Sequence, residues 1–301
     1  VGGTWRDCAQ MSERQLAETI RGDDVDVLVE LTGHTANNRL GTMALRPAPV
    51  QVTWIGYPNS TGLQSVDYRI TDDVADPPDT RQTFTERLIR LPGCFLCYTP
   101  SVEAPPVSPA PCVDAGFVTF GCFNTLAKVT PAVRRLWGKL LHAVPNSRLL
   151  LKAKPFACQT IQHRFLAQMS AEGIESWRID LSPLAGGTGN HLNMYGMIDI
   201  ALDTFPYAGT TTTCEALYMG APVVTMTGGC HAHNVGASLL TAVGLPECIT
   251  RSEDEYVETC ARLAANPAGL AELRSGLRRR MLSSPLCDGA PYVRRVEDTF
   301  V

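Results

Sequence analysis

The sequence has no long apolar run. None approaches the about 18 consecutive apolar residues of a membrane-spanning helix, so no such helix is expected. It has little excess of charge. The 301 residues carry a formal −4, and no global field draws the chain to nucleic acid or a membrane surface. No segment recurs at a period of about 20–50 residues, which argues against a solenoid or propeller. Neither G-x-x-x-x-G-K-[ST] nor G-x-G-x-x-G occurs, so neither a P-loop nor an ordinary NAD fingerprint is present. The opening "VGGTWRDCAQ" has neither an initiator Met nor a signal-peptide pattern, and reads as the start of a fragment.

A paired cysteine framework is also lacking. The eleven cysteines are odd in number and scattered, which fits reduced thiols of the cytoplasm or nucleus better than secreted disulfides. Cys94 and Cys97 form a lone C-x-x-C, read as two half-buried thiols beside a turn rather than a redox or metal pair. Cys230, His231 and His233 in "CHAHN" have the chemistry of metal ligands. No second ligand pair stands at zinc-site spacing, so no metal is expected.

What is present is ordinary globular material, 45% hydrophobic and 19% charged, enough for one large or two medium domains. "SERQLAETIRGDD" reads as a helix with Ser12 as N-cap, followed by strands at 25–31 and 50–56 around a short helix in "GHTANNRLGTMAL". "VDYRITD" and "ERLIRLP" are further strands. The Pro- and Ser-rich stretch 97–116 reads as a connector. Domain boundaries are placed at 1–100, a linker at 101–116, and 117–301.

Beyond the linker, strand and helix alternate at short spacing. Strand 117–123 leads to a helix with Thr130 at N-cap and Pro131 at N1, whose Val133, Leu136, Trp137, Leu140, Leu141 and Val144 fall on one face. A strand at 147–153, a helix ended by Gly173, strand "SWRIDL", a short helix "NHLNMYGM" and strand 198–205 follow. Helices ended by Gly220 and Gly244 flank strand "PVVTM". This pattern predicts parallel sheets covered on both faces. Two Rossmann-like domains would form a cleft, with ligands beyond the strands' C-terminal ends.

"DTFPYAGTTTTCEALYMG" places four threonines between the end of a strand and the start of a helix. There, unpaired backbone N–H groups and the helix dipole favour an anion, and Gly209 allows close approach. Glu215, read as lying in the first turn, would suit ribose hydroxyls. The residues fit a nucleotide-diphosphate cradle, or equally a Thr-capped structural helix with a dipole-favoured Glu. Lys128, in the loop after strand 117–123, either neutralises a departing diphosphate or is a solvated surface lysine. His191, in the loop of "GNHLNMYG", is by itself structural.

Several long motifs resemble the O-GlcNAc transferase family, with the plant SPINDLY branch nearest. They are "VDVLVELTGHTANNRLGTMALRPAPVQVTWIGYPNSTG", "LPGCFLCYTPS", "GCFNTLAKVTP", "DTFPYAGTTTTCEALYMGAPVVTM", "HAHNVGASLLTAVGL" and "EDEYVETC". The resemblance covers nearly the whole chain. It implies a GT-B fold of two facing Rossmann-like domains, and inverting, metal-independent transfer of a sugar to Ser or Thr of intracellular proteins. No cofactor is implied beyond the nucleotide-sugar donor: GDP-fucose in the SPINDLY branch, UDP-GlcNAc in the wider family. A tetratricopeptide array that recruits protein substrates, outside this sequence, is also implied; nucleic-acid and membrane partners are not.

By resemblance, Lys128 sits on the donor diphosphate and Thr210, Thr211 and Thr212 contact phosphate. Glu215 takes the ribose, Asn124 belongs to the donor loop, and His191 lies near the pyrophosphate. Thr213 is left to the first helical turn. Gly56 and Pro58 line the sugar and acceptor side, and His34 and Thr35 of "GHTANN" end a strand facing the cleft. Lys128 and His34 are the candidate catalytic residues. The family's histidines near the acceptor hydroxyl lie upstream of Val1, so the first domain is expected to lack its opening strands. "PLAGGTGNHLNMYG", near the base pocket, departs from the bulkier SPINDLY sequence. A non-catalytic nucleotide-binding scaffold is the reading from another class.

Overall fold

The computed structural model describes residues 3–300. The chain divides into two compact units, Val1–Leu96 with Val293–Val301, and Cys97–Tyr292.

The first unit carries helix α1 (Glu13–Gly22), strand β1 (Val27–Glu30), helix α2 (Leu40–Ala44) and strands β2 (Val50–Thr53), β3 (Tyr68–Asp72) and β4 (Arg87–Leu91). Ser12 caps α1 as expected, and Gln15 returns a bond to the cap backbone. The four strands pair in parallel in the order β1-β2-β3-β4. Val52, Ile70 and Leu91 bury one set of strand side chains, while Leu40, Met43 and Val66 pack together beside the sheet. The buried Glu30 carboxylate ends β1. It accepts from Thr32 Oγ1 at 2.6 Å and from Thr53 Oγ1 at 2.9 Å, tying the loop after β1 to β2.

The second unit contains α3 (Pro111–Ala115), β5 (Val118–Cys122), α4 (Pro131–Ala143), β6 (Ser147–Lys152), α5 (Gln159–Ala171) and β7 (Ile179–Ser182). Then come α6 (Thr188–Asn193), β8 (Ile200–Leu202), α7 (Thr211–Tyr218), β9 (Val223–Met226), α8 (His231–Val243) and β10 (Ile249–Thr250). Two further helices, α9 (Glu253–Ala264) and α10 (Pro267–Leu282), were not read from the sequence. All six strands are parallel, in the order β10-β9-β8-β5-β6-β7. The strand order therefore reverses between β5 and β8, which is the doubly wound arrangement.

The apolar face of α4 does what its spacing predicts. Val133, Leu136, Trp137 and Leu140 are buried against Phe120, Leu149, Leu151 and Ile200 of the sheet, with Tyr256 and Cys260 of α9 in the same core. Thr130 caps α4 through Val133 N at 3.3 Å. Gly244 ends α8 in the left-handed conformation.

Three expectations change. Segment 101–116 is no free linker. Its last part, Pro111–Ala115, forms α3, and Ala110 and Cys112 are buried in the core, where Cys112 N donates to Asp199 Oδ1 at 2.9 Å while Thr119 N donates to Asp199 Oδ2 at 2.8 Å. The C-terminal Val293–Val301 groups with the first unit, which no local pattern could signal. "SWRIDL" is strand only from Ile179. The buried Arg178 guanidinium reaches the carbonyls of Leu141, Val144 and Ser147, and Ser176–Arg178 winds into a 3₁₀ turn.

Gly56 is fixed by a close backbone approach. A Cβ there would lie 1.8 Å from the Leu31 carbonyl oxygen, and backbone cannot step aside as a flexible side chain does. Gly56→Ala is expected to destabilise the first unit by about 2 kcal/mol or more. Urea unfolding followed by fluorescence of Trp54, compared with the unfolding of α7 in the second unit by hydrogen exchange, would check it; an unchanged first-unit midpoint would refute it.

Candidate functional site

The reversal between β5 and β8 opens a crevice at the strands' C-terminal ends, and the loops leaving those two strands supply the candidate residues. The Asp203 carboxylate, fully buried after β8, organises them. Its Oδ1 accepts from Thr204 N at 2.8 Å and Gly209 N at 2.7 Å, and its Oδ2 accepts from Thr225 Oγ1 at 2.8 Å. Burial pushes this carboxyl above the ordinary carboxylate range, while the N–H donors pull it back. The loop 204–209 is thereby folded over one acidic group. Gly209 has no room for a Cβ, which would lie 2.5 Å from Thr212 Oγ1 and 3.0 Å from Asn124 Oδ1.

Asn124, from the loop after β5, joins the two loops. Its Nδ2 donates to Thr204 Oγ1 at 3.2 Å, and its Oδ1 accepts from Thr212 Oγ1 at 2.7 Å. Lys128 closes a 3₁₀ turn (Leu126–Lys128) just before α4. It is not a solvated lysine. Its Nζ donates to the Ala208 carbonyl at 2.8 Å and lies 3.7 Å from the centroid of the Tyr207 ring. Burial lowers its pKa, partly countered by the charge of Asp203. Lys128 is thus delivered to the segment that leads into α7.

Thr210 is the N-cap of α7 and makes no side-chain cap bond. Thr211, Thr212 and Thr213 are the first helical turn, where backbone N–H groups have no partner four residues back. The Thr210 and Thr211 hydroxyls have no hydrogen bond among the described residues, and Thr211 is exposed. Thr213 is buried and donates to the Gly209 carbonyl at 3.2 Å, a structural role.

Glu215 is the fifth residue of α7, just past the first turn in which the sequence reading placed it, because the helix already begins at Thr211. Its Oε2 is 2.8 Å from His191 Nε2 and accepts from Tyr195 Oη at 3.2 Å; its Oε1 accepts no hydrogen bond among the described residues. His191 is on α6, so the short helix expected over "NHLNMYGM" is present and starts earlier, at Thr188, and His191 does not lie in a loop. Its Nδ1 is in short contact with Lys152 Nζ. Lys152 ends β6, is buried, and lies 4.3 Å from the Phe123 ring centroid.

The first-unit candidates form a separate group. His34 and Tyr57 meet edge to face with centroids 5.2 Å apart, so the loops after β1 and β2 pack together and bring His34 beside Gly56 and Pro58. His34 Nε2 lies 2.9 Å from the Thr61 carbonyl and donates to it. Thr35 is exposed and donates to the Thr32 carbonyl at 2.8 Å.

Sequence reasoning missed Asp203, Tyr195 and Lys152. Lys152 left a signal: a lone charge ending the apolar run "SRLLLK" at the C-terminal end of a parallel strand, where ligands bind. Among the described residues no group of three or more His, Cys, Asp or Glu is placed to hold a metal ion, and the "CHAHN" residues start α8. The cavity beneath the threonine run, lined by Asn124, Asp203, Thr212 and Tyr195, has a volume of about 20 Å³, room for one water. A ligand would therefore lie above it, on the loops.

Two α/β units on all-parallel sheets, the second doubly wound with its polar residues at the switch point, define a fold of the GT-B type. The fold matches a mutant O-GlcNAc transferase of Thermobaculum terrenum with a TM-score of 0.93 at 38% identity, over 98% of this chain and 56% of that one. A sucrose-phosphate synthase of Thermosynechococcus elongatus, 12% identical with a TM-score of 0.59, shares the fold. Residues 7–99 and 113–296 match Glycosyl transferase family 41, and the chain belongs to that family. It is 58% identical over 299 residues to a tomato (Solanum lycopersicum) protein described as a probable UDP-N-acetylglucosamine–peptide N-acetylglucosaminyltransferase SPINDLY, covering 99% of this chain and 32% of that protein. It is 32% identical to the corresponding SEC protein of Arabidopsis thaliana, over 98% of this chain and 31% of that one. The chain thus spans about a third of the length of these curated relatives.

The Asp203 hub yields a pH signature. An acid whose folded pKa is raised binds protons more readily when folded, so its contribution falls as pH rises from about 4 through the raised value. Asp203→Asn, which loses an acceptor, should cost about 2 kcal/mol at neutral pH and flatten the loss that sets in as pH rises above about 4. Thermal unfolding across that range would check both. A variant as stable as wild type, or one with an undiminished slope, would refute the hub role.

Proposed function

We propose that this chain is the catalytic region of a protein O-glycosyltransferase that moves a sugar from a nucleoside diphosphate to Ser or Thr of proteins. The observation that carries the reading is the gathering of Lys128, Asn124 and the threonine run at the switch point of the second unit. The donor pyrophosphate lies over the first turn of α7, where the Thr210 and Thr211 hydroxyls and the free N–H groups donate to it. The sugar leaves its diphosphate when a protein hydroxyl attacks the anomeric carbon from the opposite face, inverting it. Negative charge then develops on the leaving phosphate, and Lys128 and the dipole of α7 stabilise it; this electrostatic contribution is the largest in the barrier reduction.

Family membership and the peptide transferase names of the relatives support the reaction class. The donor we propose is GDP-fucose, on the resemblance to the SPINDLY branch. UDP-GlcNAc is the second reading, favoured by the names that the relatives carry. No metal or other cofactor is needed in this scheme, because the cationic work at the leaving group falls to Lys128 and the helix. Protein substrates are the partners, and the cytoplasm and nucleus the compartment. The compartment draws support from cysteines that form no disulfide among the described residues.

Lys128→Met should lower transfer at least about a hundredfold with the fold intact, since one preorganised donor to developing charge contributes about that much. A radiolabelled-sugar transfer assay with GDP-fucose and UDP-GlcNAc in parallel, on this chain and on the full-length protein, measures it. Near-normal turnover by the variant would sink the assignment, and transfer from UDP-GlcNAc alone would replace the donor.

A further inference from the structure

We propose that Lys152 is a positioning residue for the nucleoside half of the donor, acting through His191 to set the Glu215 carboxylate for the ribose hydroxyls. This rests on the reading of the second unit as a nucleoside-diphosphate site.

Lys152 is buried and makes no ion pair among the described residues; its one hydrogen-bond partner is His191 Nδ1. Around its ammonium stand the rings of Phe123, at 4.3 Å, and Tyr195, at 5.8 Å. A buried ammonium without a paired carboxylate is costly to a fold. Burial accordingly lowers Lys152 to about 8, with the more distant charge of Glu215 working the other way. As a volume filler, a methionine or leucine would avoid this cost, so the cation is retained for what it contacts.

An ammonium only donates, so it fixes the tautomer of its partner. With Lys152 donating to Nδ1, His191 carries its proton on Nε2 and donates to Glu215 Oε2 at 2.8 Å. Tyr195 Oη supplies a second donor to the same oxygen at 3.2 Å. Both protein donors therefore fall on Oε2, and Oε1 is left without a partner on a side chain that is 15% exposed. Reversing the tautomer would face two lone pairs, on Nε2 and Oε2, at 2.8 Å and turn the carboxylate away. The order across the sheet agrees. The threonine run lies at the β5/β8 reversal, and Lys152 stands next to it at the end of β6, where the nucleoside extends from the phosphates.

The test is calorimetric titration of the whole chain with GDP, UDP and inorganic pyrophosphate, which has phosphates but no ribose. Lys152→Met should weaken binding of the preferred nucleoside diphosphate about tenfold and leave pyrophosphate binding within about twofold. On a Glu215→Gln background the same substitution should cause no further loss, because its effect passes through that carboxylate. If Lys152→Met does not fold, His191→Gln cuts the same chain at a partly exposed position and is read in the same way. Unchanged nucleotide binding, equal loss of both ligands, or additive losses in the double variant would each overturn the proposal. Lys128→Met separates this from the underlying reading, since it should weaken pyrophosphate and nucleotide alike. If Lys128→Met changes neither while Lys152→Met acts selectively, the phosphate assignment fails and the proposal stands. Wild-type protein that binds none of the three probes overturns both.

Discussion

The second unit depends on one buried negative charge. Asp203 stands at the end of β8 with its carboxylate out of water, and four donors from three segments converge on it: Thr204 N and Gly209 N of the following loop, Thr225 of β9 and Asn124 of the loop after β5. A carboxylate in such a place must be satisfied or the fold loses several kcal/mol, about 3 or more. Satisfying it draws the loop 204–209 into a tight arc and ties it to β9 through Thr225. That arc sets where α7 begins, and the start of α7 sets which threonines face outward. It also presents the Ala208 carbonyl to Lys128 and leaves Gly209 no space for a side chain. The geometry of the threonine run is thus a consequence of how one acid is buried.

Two polar systems are built outward from that point and use different physics. Near the switch point the groups are cationic or hydrogen-bond donors: a lysine, free hydroxyls and a helix N-terminus. Towards β6 and β7 the chain of Lys152, His191, Glu215 and Tyr195 alternates donor and acceptor and ends on a single unoccupied carboxylate oxygen. The first matches a diphosphate and the second matches vicinal hydroxyls. A nucleoside diphosphate carries these two chemistries in that order along its length.

Much of this was legible in the sequence because it was local. The period of α4, the cap at Thr130 and the glycine at Gly244 each report on a few neighbouring residues, and each has its structural counterpart. The threonine run was legible for the same reason, lying between a strand end and a helix start. Lys128 was found, but its burial was not, since that depends on Ala208 and Tyr207, about 80 residues away. Lys152 was overlooked because its meaning comes from His191 across the sheet. The segment 101–116 read as a linker because proline and serine dominate it. Asp199, far along the chain, holds it to the core. His34 and the "WIGYP" loop were named separately, and only the parallel pairing of β1 with β2 shows that they are neighbours.

Lys128 rests on partners that are both electrically neutral, a backbone carbonyl and the face of an aromatic ring. Neither cancels its charge, and neither is a counter-ion. An arriving anion therefore has no salt bridge to break and finds the ammonium already stripped of much of its water. The cost of desolvating that cation was met when the chain folded. A lysine parked on a carboxylate would hold just as still, but each ligand would first have to compete for it.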